Sequence, residues 1–170
     1  WVIRSNWQAV NFRLLEASAA DTGIRERWRE LIAHRDDVLV AGFDVFDNFL
    51  AIEERVEGLR RIRIRPWAGG PDIHIDSDEP AYRMALDANE EVASDAVRYT
   101  YTSLTTPRTT YDYDVRTGER RLLKQEAVVG DFDPARYATE YLWVPARDGE
   151  QVPVAIVYRR DAFQRDGTAP

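Results

Sequence analysis

Two neighbouring segments decide the fold of this chain: VRYTYT at residues 97–102 and YDYDV at residues 111–115. In both segments apolar or aromatic residues alternate with polar ones, which is the period-two pattern of a strand with one face on a core. Thr117-Gly118 then predicts a tight turn into a further strand over 120–126. This region is therefore expected to form an antiparallel sheet.

A unit of four short strands recurs about every 48 residues along the chain. Strands are predicted over 1–6, 11–17 and 28–34, then over 38–46, 49–56, 60–67 and 73–76, and again over 81–88, 96–104, 109–115 and 120–126. Equivalent positions keep their spacing, as in Ile3, Ile52 and Tyr101. Four strands at this period are typical of a β-propeller blade. The first unit lacks an opening strand, so the chain is expected to begin inside a longer propeller.

A different pattern follows residue 126. Asp133 and Pro134 predict one helical turn, with Asp133 as its N-cap. Two longer strands are predicted over 137–146 and 150–160, joined by a hairpin at Asp148-Gly149. The predicted fold class is thus all-β, with the last two to three propeller blades (1–127), an interdomain linker (128–136) and the opening hairpin of a second, truncated domain (137–170). Residues 21–31 have some helical propensity, but their place in the repeat favours a loop entering an outer strand.

Composition excludes several classes of function. The net charge is −7, and the arginines alternate with acids instead of clustering, which argues against nucleic acid as a partner. No apolar run reaches the roughly 20 residues that span a bilayer, so no membrane association is predicted. The sequence has no cysteine, which excludes disulfides and thiolate metal sites. This composition fits the cytoplasm, with the periplasm left open.

Several strings of residues, most densely placed between 99 and 158, are similar to the oligopeptidase B (protease II) group of the prolyl oligopeptidase family of serine peptidases. They are YTSLTTP (101–107), YDYD (111–114), TGER (117–120), LLKQ (122–125), FDP (132–134) and ARDG (146–149). The resemblance implies a seven-bladed propeller joined to an α/β-hydrolase domain that cleaves short peptides after Arg or Lys. The propeller would act as a gate and size filter. It also implies that the catalytic triad lies beyond residue 170, so the fragment alone is expected to be inactive.

Other chemistries are weaker explanations of the same residues. His34 and His74 each precede aspartates at metal-ligand spacing, yet aspartate is also a common turn residue. The pairs Glu53-Glu54 and Asp112 with Asp114 would suit acid–base chemistry as paired carboxylates. Asp112 and Asp114, however, alternate with tyrosines and should face solvent, and a solvated position is also the simpler interpretation of Glu53-Glu54. The arginines 61, 63 and 65 alternate with isoleucines and fit the solvated face of a strand. The tyrosines 99, 101, 111 and 113 fit packing between blades. We therefore assign no catalytic, cofactor or metal-binding residue. The alternative function is a non-catalytic propeller that binds other proteins.

Strand order predicts which loops face the second domain. Because neighbouring strands of a blade are antiparallel, the loops after second and fourth strands share one rim, from which the chain leaves the propeller. Loops 6–10, 57–58 and 105–108 and turns 34–37 and 76–80 should lie there. An acidic rim at the domain interface is hypothesised from Asp36, Asp37, Asp76, Asp78 and Glu79. An interdomain hinge is hypothesised at Gly130, Asp131, Phe132, Asp133 and Pro134, with a static linker as the alternative.

Overall fold

A computed structural model describes residues 1–168 and consists almost wholly of β-strands. The strands in chain order are β1 (Val2–Ser5), β2 (Arg13–Glu16), β3 (Arg29–Ile32), β4 (Val38–Val45), β5 (Phe49–Val56), β6 (Leu59–Pro66), β7 (Ile73–His74), β8 (Tyr82–Leu86), β9 (Ala96–Ser103), β10 (Thr109–Asp114), β11 (Arg120–Gln125), β12 (Tyr137–Pro145) and β13 (Gln151–Arg159). Single 3₁₀ turns lie at Arg25–Arg27 and Pro134–Arg136.

The first eleven strands form three successive antiparallel blades. Blade one is β1-β2-β3, blade two is β4-β5-β6-β7, and blade three is β8-β9-β10-β11. Blades two and three are joined edge to edge by one parallel pairing, Arg60 with Arg83. The blades do not close into a ring or a barrel within residues 1–168. The predicted all-β partial propeller is therefore confirmed.

The middle blade is covered on both faces, and β5 shows this directly. Phe49 to Glu54 are six consecutive buried residues, whereas a strand with one wet face would alternate. Leu50 and Ile52 pack toward blade one in a core with Leu14, Ile32 and Val40. Phe49 and Ala51 point the other way. They join a larger core made with blade three.

Tyrosines dominate the core between blades two and three. Tyr99, Tyr101 and Tyr113 are buried there, with Tyr111 packed against them. The rings of Tyr99 and Tyr111 stack with centroids 5.6 Å apart. Packing between blades, rather than a stacking platform for a ligand, is thus the role of the four tyrosines, as the sequence predicted.

Two local predictions also hold. Residues 21–31 form a loop with one 3₁₀ turn and then enter β3, so they are not a long helix. At the linker, the Asp133 carboxylate accepts a hydrogen bond from the Ala135 backbone N–H at 3.0 Å, which makes Asp133 the N-cap of the turn. After this turn, β12 and β13 form a separate two-stranded antiparallel hairpin. Its strand pairing runs from Tyr137 opposite Arg159 to Pro145 opposite Gln151.

The predicted solvated faces are wrong for several charged residues. Arg63 and Arg65 face blade one: Arg63 pairs with Glu54 at 2.7 Å, and Arg65 donates to the Leu31 carbonyl at 2.9 Å. Glu54 and Glu53 are only 3% and 8% exposed. Neighbouring blades cover both faces of blade two, so charges on either face are paired and covered rather than hydrated.

Asp112 provides a second correction. Its position between two tyrosines of β10 predicts exposure, but it is 7% exposed. Arg98 and Arg121, on the two strands beside it, reach its carboxylate at 2.8 and 2.9 Å. The hydrogen bond from Arg98 is the main reason that the pKa of Asp112 lies below its ordinary value. Asp114, by contrast, is partly exposed.

Candidate interdomain face

The hairpin meets the propeller at a turn that the strand order places on the facing rim. The Tyr141 hydroxyl, on β12, donates a hydrogen bond of 2.5 Å to the backbone carbonyl of Glu57. Pro153, on β13, lies against Gly58, the other residue of the same turn. Burial, and then the negative charge of Glu57, raise the pKa of Tyr141. The hydroxyl therefore keeps its proton at neutral pH and acts as a donor.

The geometry of this turn depends on its two residues. Glu57 and Gly58 both have positive φ, 51° and 84°, which is the pattern of a type I′ hairpin turn. A Cβ at position 58 would lie 2.5 Å from the Tyr141 hydroxyl and 3.1 Å from Pro153 Cγ. Glycine is thus required at position 58 for two reasons, the backbone conformation and the close approach of the hairpin.

Beside this contact lies an open groove of about 400 Å³ between the blades and the hairpin. Tyr82 and Leu104 line its blade side, and Tyr141 and Ala155 line its hairpin side. Tyr82 stacks on Tyr101, with centroids 6.1 Å apart, which fixes one wall to the inter-blade core. The hairpin is therefore in narrow contact with the propeller and is not packed along its length.

Glu79 is the most highly coordinated side chain of this rim. One carboxylate oxygen accepts hydrogen bonds from the Ser103 and Thr105 hydroxyls, both at 2.6 Å. The other accepts from Tyr101 at 2.5 Å and Thr106 at 2.8 Å. Burial alone would raise the pKa of Glu79, but these four donors together lower it below its ordinary value. Glu79 stays ionised and ties turn 76–80 to loop 103–106.

The structure therefore divides the five residues of the hypothesised acidic rim. Glu79 has its hydrogen-bonding capacity filled by its own blade. Asp76 and Asp78 beside it are exposed. In the other turn, the side chain of Asp36 is 99% exposed. Asp37 pairs with Arg35 at 2.5 Å, and this contact lowers the pKa of Asp37.

The predicted hinge residues differ in how firmly they are held. Gly130 has a φ of 98°, and a Cβ placed there would meet nothing within 4 Å. Just beyond it, Asp131 pairs with Arg136 at 3.0 Å and Phe132 stacks on Tyr137. Gly130 thus adopts a left-handed conformation with open space around it, and Asp131 and Phe132 contact the start of the hairpin.

The remaining candidates show no assembled chemistry. His34 lies 3.8 Å from Asp36, and His74 is exposed on β7. Within residues 1–168 no cluster of three or more His, Cys, Asp or Glu side chains is arranged to hold a metal ion. Ser103 donates to Glu79. In the described part of the chain, no helix is both long and apolar enough to cross a membrane.

Sequence reasoning missed the residues that hold this face together. The hydroxyl partners of Glu79 are ordinary members of a Ser/Thr-rich turn, and only their approach to one carboxylate distinguishes them. Tyr141 lies in β12 and Pro153 in β13, and no local sequence motif sets either residue apart from its strand. The available signal was Glu57-Gly58, a tight turn that the strand order already placed on the facing rim.

Comparison with known proteins identifies the family. Residues 1–126 match the family described as prolyl oligopeptidase, N-terminal beta-propeller domain. Together with the blade topology and the adjoining hairpin, this match shows that the chain belongs to the prolyl oligopeptidase family. The resemblance found in the sequence is confirmed.

Individual relatives agree with this assignment. The chain is 48% identical over its whole length to dipeptidyl aminopeptidase BI of Pseudoxanthomonas mexicana, of which it covers 23%. It is similar to oligopeptidase B from Leishmania major, with a TM-score of 0.82 and 29% identity over 95% of this chain and 24% of that one. It is also similar to a closed form of oligopeptidase B from Trypanosoma brucei with covalently bound antipain. The TM-score is 0.80 and the identity 26%, over 94% of this chain and 23% of that one. The chain thus spans about a quarter of the length of these relatives.

Proposed function

We propose that this chain supplies propeller blades and the first hairpin of the catalytic domain to a serine oligopeptidase that cleaves short peptides after Arg or Lys. The observation that carries the proposal is the family match over the blades, followed by a hairpin that lies against the rim where a second domain is expected. The catalytic triad is proposed to lie in the part of the protein that corresponds to the uncovered three quarters of the relatives. Its proposed location is the cytoplasm, on the ground of the cysteine-free sequence.

The propeller is proposed to act as gate and size filter. Blades 1–127 would cover the active site, 128–136 would connect the domains, and 137–170 would open the hydrolase domain. A contact as narrow as that between Tyr141 and the Glu57-Gly58 turn can be broken without exposing a large core. The structure of oligopeptidase B from Trypanosoma brucei with covalently bound antipain is described as a closed form. Opening at Gly130 would admit the substrate.

A second function is supported by a specific observation. The relative with 48% identity is named a dipeptidyl aminopeptidase, and such an enzyme releases dipeptides from a free amino terminus. An acidic surface near the entrance suits both functions, because a basic side chain and a free α-amino group are both cationic.

Two matched peptides distinguish these functions in the full-length protein. One is an internally quenched octapeptide with a single central Arg and an acetylated amino terminus. The other has a free amino terminus and Arg as its second residue. We expect cleavage of the acetylated peptide after Arg and at least a hundredfold slower cleavage when Gln replaces Arg, because a site built to pair with a charged group rejects a neutral analogue.

The other outcomes are equally informative. Release of dipeptides from the free peptide only would contradict the endopeptidase and support the dipeptidyl aminopeptidase. Hydrolysis of neither peptide, nor of a Pro-containing one, would contradict both and favour the protein-binding scaffold.

The exposed part of the acidic rim is proposed to pair with basic residues of the catalytic domain or, secondarily, to attract cationic peptides. Asp76 and Asp78 are exposed and lie in the same turn as Glu79, whose own carboxylate is occupied by four hydrogen bonds. We expect the double charge reversal Asp76→Lys/Asp78→Lys to lower kcat/KM for Arg peptides several-fold at low salt and less at 0.5 M salt, since salt screens exposed charges. Glu119→Lys is the control, because it reverses the charge of an exposed residue in the turn between β10 and β11. Unchanged activity and salt dependence would remove both roles.

A further inference from the structure

The hairpin contacts the blades at one turn, Glu57-Gly58. Within residues 1–168, one hydrogen bond joins the hairpin to the three blades, from the Tyr141 hydroxyl to the Glu57 carbonyl. The strands of the hairpin bond only to each other, and an open groove lies beside the contact. Pro153 of the hairpin also lies against Gly58 of the same turn. Breaking the hydrogen bond would therefore weaken the attachment of the hairpin without disturbing a blade core.

The turn that accepts the hydrogen bond presents one carbonyl to the hairpin. Glu57 has a φ of 51°, as the first central position of a type I′ hairpin turn requires. The conformation turns the carbonyl of Glu57 toward Tyr141. Gly58 leaves the space into which the tyrosine hydroxyl and Pro153 fit. Turn and hairpin are thus shaped to each other.

We propose that Tyr141, docked on the Glu57-Gly58 turn, is a latch that holds the second domain on the propeller and sets how often the enzyme opens to long peptides. The latch rests on the proposed function for its effect on peptides, but its effect on domain separation does not require activity. Because the donor is one neutral hydroxyl, the latch is weak. Removing it should shift the balance between closed and open forms about fivefold, the worth of one such hydrogen bond.

The test compares two tyrosine hydroxyls of the same hairpin in the full-length protein. Tyr141→Phe removes the donor to the blades. Tyr158→Phe removes a hydrogen-bond donor whose acceptor, Glu140, lies inside the hairpin itself. Spin labels at the exposed positions Glu90 and Asp148 report the distance between propeller and hairpin. We expect a longer second distance, populated about fivefold more in Tyr141→Phe than in the parent protein, and no change in Tyr158→Phe.

A pair of glycine variants tests the same latch from the turn. Gly58→Ala places a methyl group against Tyr141 and should separate the hairpin from the turn more than Tyr141→Phe does. Gly118→Ala carries a similar backbone strain, with a φ of 76°, but its methyl group would only touch Tyr113 at an ordinary 3.6 Å. Gly118→Ala should therefore leave the distance distribution unchanged. If Gly130 is the hinge, Gly130→Ala should narrow the distribution instead.

Activity then shows whether the latch acts as a filter. For a peptide of about 25 residues relative to one of eight, we expect kcat/KM to rise about fivefold in Tyr141→Phe and to stay constant in Tyr158→Phe. An unchanged distance distribution in both Tyr141→Phe and Gly58→Ala overturns the latch, whatever the activity. A full-length protein that opens as expected but cleaves no peptide overturns the proposed function and leaves the latch standing.

Discussion

Replacing Glu79 by alanine is expected to lower the free energy of unfolding of the propeller by about 3 kcal/mol, because hydroxyl donors in a partly buried site lose their acceptor at a cost of about 1–3 kcal/mol each. The four donors are Tyr101, Ser103, Thr105 and Thr106. Those nearer the surface can turn to water, so the total stays well below the sum of four full penalties. Chemical denaturation of the full-length protein, followed by tryptophan fluorescence, measures the change.

Asp78→Ala is the matched control, since it removes a neighbouring carboxylate that is exposed. Its effect should stay within about 0.5 kcal/mol, the usual range for a surface substitution. Equal losses in the two variants would show that Glu79 is not a special acceptor. Glu79→Gln should fall between them, because the amide keeps one acceptor oxygen and presents a donor to the remaining hydroxyls.

Lowering the pH should reduce the contribution of Glu79 to the free energy of unfolding. Its pKa is lower in the folded protein than in the unfolded chain, so its contribution is complete above the unfolded value of about 4.3. The contribution is lost as the pH falls through the folded value. The difference in unfolding free energy between the parent protein and Glu79→Ala should therefore shrink as the pH is lowered from 5 toward 3, while the difference for Asp78→Ala stays small throughout.

The propeller could be predicted from the sequence because its signals are local. Alternation in segments such as 97–102 marks strands, and the 48-residue repeat groups them into blades. Strand direction then placed the 57–58 turn on the facing rim, where the hairpin in fact makes its contact. These steps need only the pattern along the chain and the rule that neighbouring strands of a blade run in opposite directions.

The environment of the charged residues could not be predicted in the same way. Alternation with two tyrosines assigns Asp112 to the polar side of a strand, and for an isolated sheet that side is wet. Arg98 and Arg121 on the two neighbouring strands pair with Asp112, and Arg63 on the neighbouring strand pairs with Glu54. Whether a carboxylate is hydrated or paired thus depends on the side chains that neighbouring strands bring to it. The same reason hid the distinction between Glu79 and its acidic neighbours, which only the converging hydroxyls reveal.

The buried charges between blades one and two should also make a large contribution. Glu54, 3% exposed, pairs with Arg63 at 2.7 Å, and Arg63 in turn pairs with Asp72 at 2.7 Å. We expect Glu54→Leu to destabilise the propeller by about 3 kcal/mol, because removing one partner leaves the other charge buried and incompletely paired. Glu30→Leu, which breaks a pair with Arg13 at a site where the Glu30 side chain is 48% exposed, should cost less than about 1 kcal/mol.

A compensating variant separates loss of the pair from loss of packing. Glu54→Leu/Arg63→Met replaces both charges by apolar side chains of similar length, and such exchanges of buried ion pairs are often neutral. Asp72 keeps its contact with Arg65 at 3.1 Å in this variant. Most of the stability lost in Glu54→Leu should therefore return. A double variant as unstable as the sum of its two single variants would mean that Glu54 and Arg63 contribute independently, and that their pairing does not stabilise blade two.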